Sequence, residues 1–207
     1  MLTFYRIHHS TNVERVALTL AHKGLQAESI YVPSEDRARV RAVSGQDLVP
    51  VLVDDGKVVA DSMEIVRYLE ERFPDRPALY PGEPARRAEC LLFVDWFNRV
   101  WKRPPNEITD ELEKPEGSRD TERIERLTRV MQSHLDLFEM MLAGRRYLQG
   151  EFSAADIAAF PFVKYATFRD PADTELFHEV LVRAQQPGAG HPRLVDWIAR
   201  VDQHPRV

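Results

Sequence analysis

The stretch that most constrains the fold is residues 48–73, which read LVPVLVDDGKVVADSMEIVRYLEERF. A short apolar run at 51–53 and a predicted return strand at 57–60 flank Asp55 and Gly56, a dipeptide that favours the tight turn of a β-hairpin. A hairpin alone is at best marginally stable in water, so this one needs further strands or a helix to cover it. The sequence therefore predicts two paired strands within a larger fold.

A helix is predicted directly after the second strand. Asp61 and Ser62 come first, and Glu64 follows Asp61 by three residues, which is the spacing of a capping box. Apolar side chains then recur at helical spacing until Pro74, which cannot continue a helix. The N–H groups at the start of such a helix, with the hydroxyl of Ser62, form a site for an anion such as a carboxylate.

A second binding element precedes the hairpin. Pro50 stands at the start of a strand, where it has no ladder donor to lose. If its peptide bond is cis, the backbone N–H and C=O of Val49 are free to pair with a ligand. Together with the helix start, this edge predicts a site for a small peptide that carries a carboxylate at one end.

The same residues resemble the glutathione-site half of the glutathione transferase family, whose pattern is V-P-x-L, a turn, and E/Q/D-S-x-x-I-x-x-Y-L. By that resemblance Val49 pairs with the cysteinyl part of glutathione, Pro50 is cis, and Asp61 and Ser62 hold the γ-glutamyl end. Asp61 is shorter than the glutamate or glutamine that is commoner there. Taken alone, the Asp61-Ser62 pair suits a simple helix cap equally well. The other matching residues are Leu52, Ile65, Tyr68 and Leu69.

The first part of the chain predicts an α/β domain. Strand-like sequence at 2–7 is followed by a polar run at 8–12, a helix, and a second strand around 28–32. A second helix is predicted within 35–43. With the hairpin and its helix the order is βαβαββα, which is a thioredoxin-like domain over residues 1–75.

The rest of the chain predicts an all-α helical bundle domain. Residues 76–84 belong to a proline-rich connector, so the second domain is placed at 85–207. Long helices are predicted over 85–101 and 124–142. A helix break is predicted at 102–106, a loop at 113–120 and a final helix at 194–201. Ser153 and Asp156 form a further capping box, for which we predict a structural role.

Thiolate chemistry is predicted in the polar run after the first strand. A thiol of pKa about 8.5 is only a few per cent ionised at neutral pH, so an enzyme that uses it must stabilise the thiolate. By resemblance to the serine and cysteine classes of the family, the residue that does this lies shortly before an Arg-Val pair, here at 15–16. Ser10 occupies that place and is the predicted catalytic hydroxyl, with Thr11 and Tyr5 as alternatives.

The resemblance also points to two further groups of residues. A basic residue or glutamine near the second helix would meet the glycine carboxylate of glutathione, although Arg37, Arg39 and Arg41 equally suit a solvated face. The first long helix of the bundle would line a pocket for the electrophile, and the absence of lysine and arginine from 88–98 favours an apolar one. An aromatic run of this kind also suits a core or a dimer interface. The pocket candidates are Trp96, Trp101 and Asn106.

Composition and spacing argue against several other functions. A net charge of -5 disfavours nucleic acid and anionic membranes as partners. The longest apolar run, 91–94, is far shorter than a membrane helix needs. Adjacent His8 and His9 point to opposite faces of a strand, so no metal site is expected. Cys90 is the only cysteine, which precludes an internal disulfide, and we expect it to be buried.

The resemblance implies a glutathione S-transferase that activates glutathione, its co-substrate, for attack on a small apolar electrophile, without a metal. It also implies a homodimer, and the chain has no predicted signal peptide, so we expect a cytoplasmic protein. The same fold could carry a glutathione-dependent isomerase or dehalogenase, or a non-catalytic binding protein.

Overall fold

The computed structural model describes residues 1–207 and divides the chain into two units. Met1–Leu79 and His204–Val207 form the first, called here the N-terminal unit, and Tyr80–Gln203 form the second, called the helical unit. The sequence placed the connector at 76–84 and assigned every later residue to the second domain. The last four residues instead fold with the first unit.

A four-stranded mixed sheet forms the centre of the N-terminal unit, in the order β2-β1-β3-β4. β1 pairs with β2 in parallel and with β3 in antiparallel, and β3 pairs with β4 in antiparallel. The predicted hairpin joins β3 to β4, and positive φ angles at Asp55 (46°) and Gly56 (91°) are those that a tight hairpin turn requires. The strands are β1 (Leu2–Arg6), β2 (Glu28–Tyr31), β3 (Val51–Asp54) and β4 (Lys57–Ala60).

Three helices complete this unit and confirm the order βαβαββα: α1 (Thr11–His22), α2 (Ala38–Ser44) and α3 (Ser62–Arg72). α1 and α3 bury their apolar faces against the sheet, where Phe4, Leu52, Val16, Ile65 and Leu69 are fully buried. This packing fixes the starts of α1 and α3 next to the ends of the strands that precede them.

The helical unit contains only helices, turns and loops apart from one isolated bridge, as the sequence predicted for this domain. A π-helical turn, Phe97–Trp101, continues the first helix, so the predicted helix over 85–101 is present with a change of winding. The helices are α4 (Pro84–Trp96), α5 (Arg103–Glu113), α6 (Thr121–Met141), α7 (Ala154–Val163), α8 (Leu176–Ala184) and α9 (Pro192–Asp202).

The predicted break at 102–106 is wrong in one respect, because a helix begins there. Pro104 and Pro105 lie in the first turn of α5, where a backbone N–H has no partner within the helix. The proline pair therefore starts α5, and the loop after it is confined to residues 114–120.

None of these helices is both long enough and apolar enough to cross a lipid bilayer.

Candidate functional site

A cleft of about 380 Å³ lies in the N-terminal unit beside the start of α3. The structure brings four of the predicted site residues together here: Val49, Pro50, Asp61 and Ser62. The other lining residues of this unit are Asn12, Gln46, Leu48 and Ala60. The cleft therefore joins the loop before β3 to the junction between β4 and α3.

The backbone at Val49 is exposed as an edge. The Val49-Pro50 peptide bond is cis, as the resemblance implied. Strand pairing begins only at Val51, which lies opposite Tyr5 on one side and Ala60 on the other. The N–H and C=O of Val49 therefore take no part in the sheet and can pair with an extended ligand.

The start of α3 presents its N-terminus to the cleft. One carboxylate oxygen of Asp61 accepts hydrogen bonds from the N–H groups of Met63 (2.8 Å) and Glu64 (3.2 Å), so Asp61 is the N-cap. Glu64 pairs with Arg67. The structure shows only the Asp61 half of the predicted capping box. The N–H of Ser62, which no protein hydrogen bond uses, is available to an anion.

Asp61 also has an uncommon backbone conformation, with φ 71° and ψ 131°. A non-glycine residue held there costs on the order of 1–3 kcal/mol, and such residues cluster where a ligand is bound. The surrounding strand and helix hold the conformation in place. Asp61 is the residue that joins β4 to the N-terminus of α3.

Beneath Ser62 lies a buried cation that sequence reasoning did not assign. The side chain of Arg15 is 1% exposed, and its Nη1 donates to Ser62 Oγ (3.2 Å) and Asn12 Oδ1 (3.3 Å). Burial lowers the pKa of Arg15 to about 9, and the nearby charge of Asp61 opposes this shift. At neutral pH the guanidinium remains charged. A positive charge thus lies beneath Ser62, next to the N-terminus of α3, and the Asp61 carboxylate that lines the cleft offsets part of it.

Ser10, the predicted catalytic residue, is the N-cap of α1. Its Oγ accepts a hydrogen bond from the Val13 N–H (3.3 Å), which leaves its own O–H able to donate. Ser10 is two residues before Asn12 but does not itself line the cleft. Of the alternatives, Thr11 is buried in the first turn of α1 and Tyr5 lies within β1.

The three arginines considered for the glycine carboxylate do not line the cleft. Arg41 is paired with Asp47, with its Nη2 2.7 Å from the Asp47 carboxylate, and Arg39 is exposed on α2. Gln46 does line the cleft, so the glutamine in this segment, and not an arginine, is the polar side chain present there.

The three predicted electrophile-pocket residues differ in their surroundings within the helical unit. Trp101 is 1% exposed and stacks on Phe97 (4.5 Å between ring centroids), so it is a core residue, an interpretation that the sequence left open. Trp96 is half-buried against His134, and Asn106 is exposed on α5. Two cavities of this unit, one beside Tyr165 and one beside Leu137, contain none of the three.

The remaining candidates have structural surroundings. Cys90 is fully buried, as expected, and burial raises the pKa of its thiol to about 11, which keeps it unreactive at neutral pH. The ring of His8 stacks on Tyr31 (4.6 Å). No group of three or more His, Cys, Asp or Glu side chains is arranged to hold a metal ion.

Comparison with known proteins matches both units to one family. Residues 4–77 match the N-terminal domain of glutathione S-transferases, and residues 121–200 match their C-terminal domain. The chain is 32% identical to glutathione S-transferase GstB of Escherichia coli over 171 residues, which covers 79% of this chain and 82% of GstB.

Two further similarities bear on the site. A theta class glutathione S-transferase from Xanthomonas axonopodis pv. citri, solved with glutathione bound, has a TM-score of 0.72 and 28% identity, and the match covers 99% of this chain and 93% of that one. A maleylacetoacetate isomerase of Pseudomonas aeruginosa is 37% identical over 94 residues, which is 42% of this chain and 44% of the isomerase.

Proposed function

This chain belongs to the glutathione S-transferase family, and from that premise we propose that its cleft binds glutathione and delivers the thiolate to an electrophile. The protein is a glutathione transferase with glutathione as its co-substrate. The roles of individual residues follow from the geometry of the cleft.

The observation that carries the proposal is that a buried cation and a helix N-terminus meet at Ser62, beside the free backbone edge of Val49. The buried guanidinium of Arg15 and the N-terminus of α3 favour a carboxylate at Ser62, which matches the α-carboxylate of the γ-glutamyl group. The N–H and C=O of Val49 suit the cysteinyl part of an extended peptide. Glutathione carries both features in one small molecule.

Ser10 is proposed to hold the thiolate. Its O–H donates to the sulfur while its Oγ keeps its bond to the Val13 N–H, so one residue both caps α1 and stabilises the anion. The N-terminus of α1, a helix of 12 residues, favours the same negative charge. The sulfur then attacks the electrophilic carbon, the C–S bond forms, and the leaving group departs with its electron pair.

Separate variants test binding and thiolate stabilisation. Ser62→Ala removes the hydroxyl at the anion site and should weaken glutathione binding by about tenfold in calorimetric titration. Ser10→Ala should leave binding within a few-fold of wild type, raise the pKa of the bound thiol by about one unit and slow conjugation by about tenfold. Ser10→Thr keeps the hydroxyl and should restore much of the rate. Ser118→Ala, in an exposed loop, is the matched control.

Two outcomes would contradict this assignment. If wild-type protein binds no glutathione at millimolar concentration, the cleft is not a glutathione site. If Ser10→Ala conjugates at the wild-type rate, the thiolate donor is a different residue, and Thr11 and Tyr5 become the candidates to substitute next.

We further propose that the electrophile is small and apolar, because residues 88–98, in α4 and the start of the π-helical turn, include no basic side chain. A panel of aryl halides, epoxides and anionic haloacids at equal concentration tests this preference. Faster turnover of the haloacids would reject it.

The protein is also proposed to be a cytoplasmic homodimer. Leu91 and Leu92 are exposed side by side on α4, and the single cysteine is buried and unpaired, which suits a reducing compartment. Leu92→Glu should shift the sedimentation coefficient from that of a dimer to that of a monomer. Met140→Glu, at a similarly exposed apolar residue, should not.

The partial similarity to maleylacetoacetate isomerase supports glutathione-dependent isomerisation as a second candidate function. That chemistry uses the same thiolate but adds it reversibly to a double bond. Turnover of a cis-enone without consumption of glutathione would identify it.

A further inference from the structure

The lining of the cleft is uneven in charge. Asn12, Asp61 and Ser62 form one cluster. Asn12 and Ser62 accept hydrogen bonds from the buried guanidinium of Arg15, and the carboxylate of Asp61 interacts with the same cation through its charge. Gln46 and Leu48 form a second cluster, in the segment just before the Val49 edge. Among the residues of the N-terminal unit that line the cleft, neither a lysine nor an arginine is present, so the second cluster has no cation of its own.

Gln46, the polar side chain of this second cluster, already makes hydrogen bonds within its own loop. The Nε2 of Gln46 donates to the carbonyl oxygen of Leu48 (2.9 Å) and to Ser44 Oγ (3.1 Å), and its Oε1 accepts from the Leu48 N–H. A primary amide has two N–H donors, so both are used within the loop. Gln46 therefore fixes the loop conformation and has no donor left for a carboxylate.

Arg41, the basic residue nearest to Gln46 in the sequence, is already paired with an acidic side chain. Both Nε (2.8 Å) and Nη2 (2.7 Å) of Arg41 contact the same oxygen of Asp47, which neutralises the charge of the guanidinium locally. Leu48 itself is 77% exposed and presents an apolar side chain to the cleft. A carboxylate placed against it gains no ion pair and loses part of its hydration.

Glutathione carries a carboxylate at each end, but only one of the two clusters has a cation beside it. The cleft should therefore recognise the charge at one end of the ligand and not at the other. With the γ-glutamyl carboxylate at Ser62 and the cysteinyl backbone on Val49, the glycyl end extends toward Gln46 and Leu48. We propose that Leu48 makes the cleft indifferent to charge at the glycyl end, so that it accepts γ-glutamylcysteine thiols whose C-terminal group is neutral, such as esters or amides, as well as it accepts glutathione. This inference rests on the proposed function of the cleft.

The test compares glutathione with its glycyl monoethyl ester, by calorimetric titration at low ionic strength, where a charge preference is least screened. We expect the two dissociation constants to agree within about threefold. Glutathione binding more than threefold tighter than the ester would overturn the inference and leave the proposed function intact. No binding of either ligand would reject both.

Variants of Leu48 test whether this residue sets the relative affinity of the cleft for glutathione and its ester. Because Leu48 is exposed, substitution should not disturb folding. Leu48→Lys should tighten glutathione relative to the ester by about fivefold or more, since a charge-assisted contact becomes available, while Leu48→Met should keep the wild-type ratio. A Leu48→Lys protein that treats both ligands alike would also overturn the inference.

Arg41 provides the remaining control, because ligand binding could in principle release it from Asp47. Arg41→Ala should leave the ratio of the two dissociation constants unchanged. If Arg41→Ala selectively weakens glutathione and not the ester, Arg41 recognises the glycyl carboxylate and the inference fails.

Discussion

At the scale of single residues, Asp156 holds together the start of α7. Its Oδ1 accepts from the Leu148 N–H (3.0 Å) and the Trp197 Nε1–H (2.8 Å). Its Oδ2 accepts from both the N–H and the hydroxyl of Ser153, each at 3.0 Å. Burial raises the pKa of Asp156 to about 6, although these four donors act in the opposite direction.

Substitution of Asp156 should therefore lower the free energy of unfolding more than substitution of its hydrogen-bond partner Ser153. Asp156→Ala leaves four buried donors without an acceptor and should lower the free energy of unfolding by about 3 kcal/mol or more. Ser153→Ala removes one cap and should cost about 1 kcal/mol. Denaturant titration measures both, with the exposed Asp196→Ala as control. A large loss of glutathione binding with unchanged stability would contradict a structural role.

The same scale shows where sequence reasoning reaches its limit. The capping box at Ser153 is a local pattern, and the structure forms it in full, with both reciprocal bonds. The burial of Arg15 is not local, because it depends on α3 and the β4 junction closing over α1. In the sequence analysis, Arg15 was used only as part of the Arg-Val pair that locates Ser10. α1 also carries Glu14 and His22, so its local sequence does not distinguish Arg15 from an exposed arginine.

At the scale of helices and loops, the segment around α5 shows a different limit. A proline cannot continue a helix, but it is tolerated in the first turn of one. The sequence alone therefore does not say whether Pro104 and Pro105 end one helix or begin the next, and the packing of the neighbouring residues decides. Ile108 on α5 is buried, which gives the helix an apolar face that its charged composition conceals. The long helices and the hairpin, whose patterns repeat over many residues, were predicted reliably.

An ion-pair cluster joins α5 to α6. Arg123 on α6 donates to Glu107 and Glu111 on α5, each at 2.9 Å, and Glu111 is buried. Hydrogen bonds from Arg103 and then Arg123 lower the pKa of Glu107. The pKa of Glu111 is also lowered, chiefly by the hydrogen bond from Lys114.

This cluster should make the helical unit sensitive to acid. A carboxylate whose folded-state pKa lies below its unfolded value stabilises the fold above the unfolded pKa, and this contribution is lost as pH falls through the folded pKa. Removing Arg123 raises the folded pKa of both glutamates toward the unfolded value of about 4.5. Acid unfolding of Arg123→Ala, followed by circular dichroism, should therefore begin at higher pH than in wild type. Arg129→Ala, an exposed arginine of the same helix, should unfold as wild type does.

At the scale of the whole molecule, the N-terminal unit is discontinuous in sequence. Arg206 pairs with Glu14 on α1 (3.0 Å), and the Val207 N–H donates to the Ala17 carbonyl (3.3 Å). The side chain of Val207 packs against the core of that unit. The sequence offered no pattern for this contact, since four residues carry no periodicity and their partners are about 190 positions away.

A double-mutant cycle measures the strength of this attachment. Glu14→Gln and Arg206→Met should each destabilise the protein, and the two effects should be less than additive, with a coupling energy of about 0.5–1 kcal/mol for a partly exposed pair. Thermal melts of the four proteins give the values. Strict additivity would mean that the two side chains act independently.

The attachment of residues 204–207 to α1 also sets an order of events during synthesis. A ribosome releases residues 1–79 first and must then produce the whole of the helical unit before the final contacts of the N-terminal unit can form. A nascent chain carries α1, and with it Ser10 and Arg15, without this support for most of its translation. Full anchoring of α1, the helix that begins after Ser10, therefore has to wait until the whole of the helical unit has been translated.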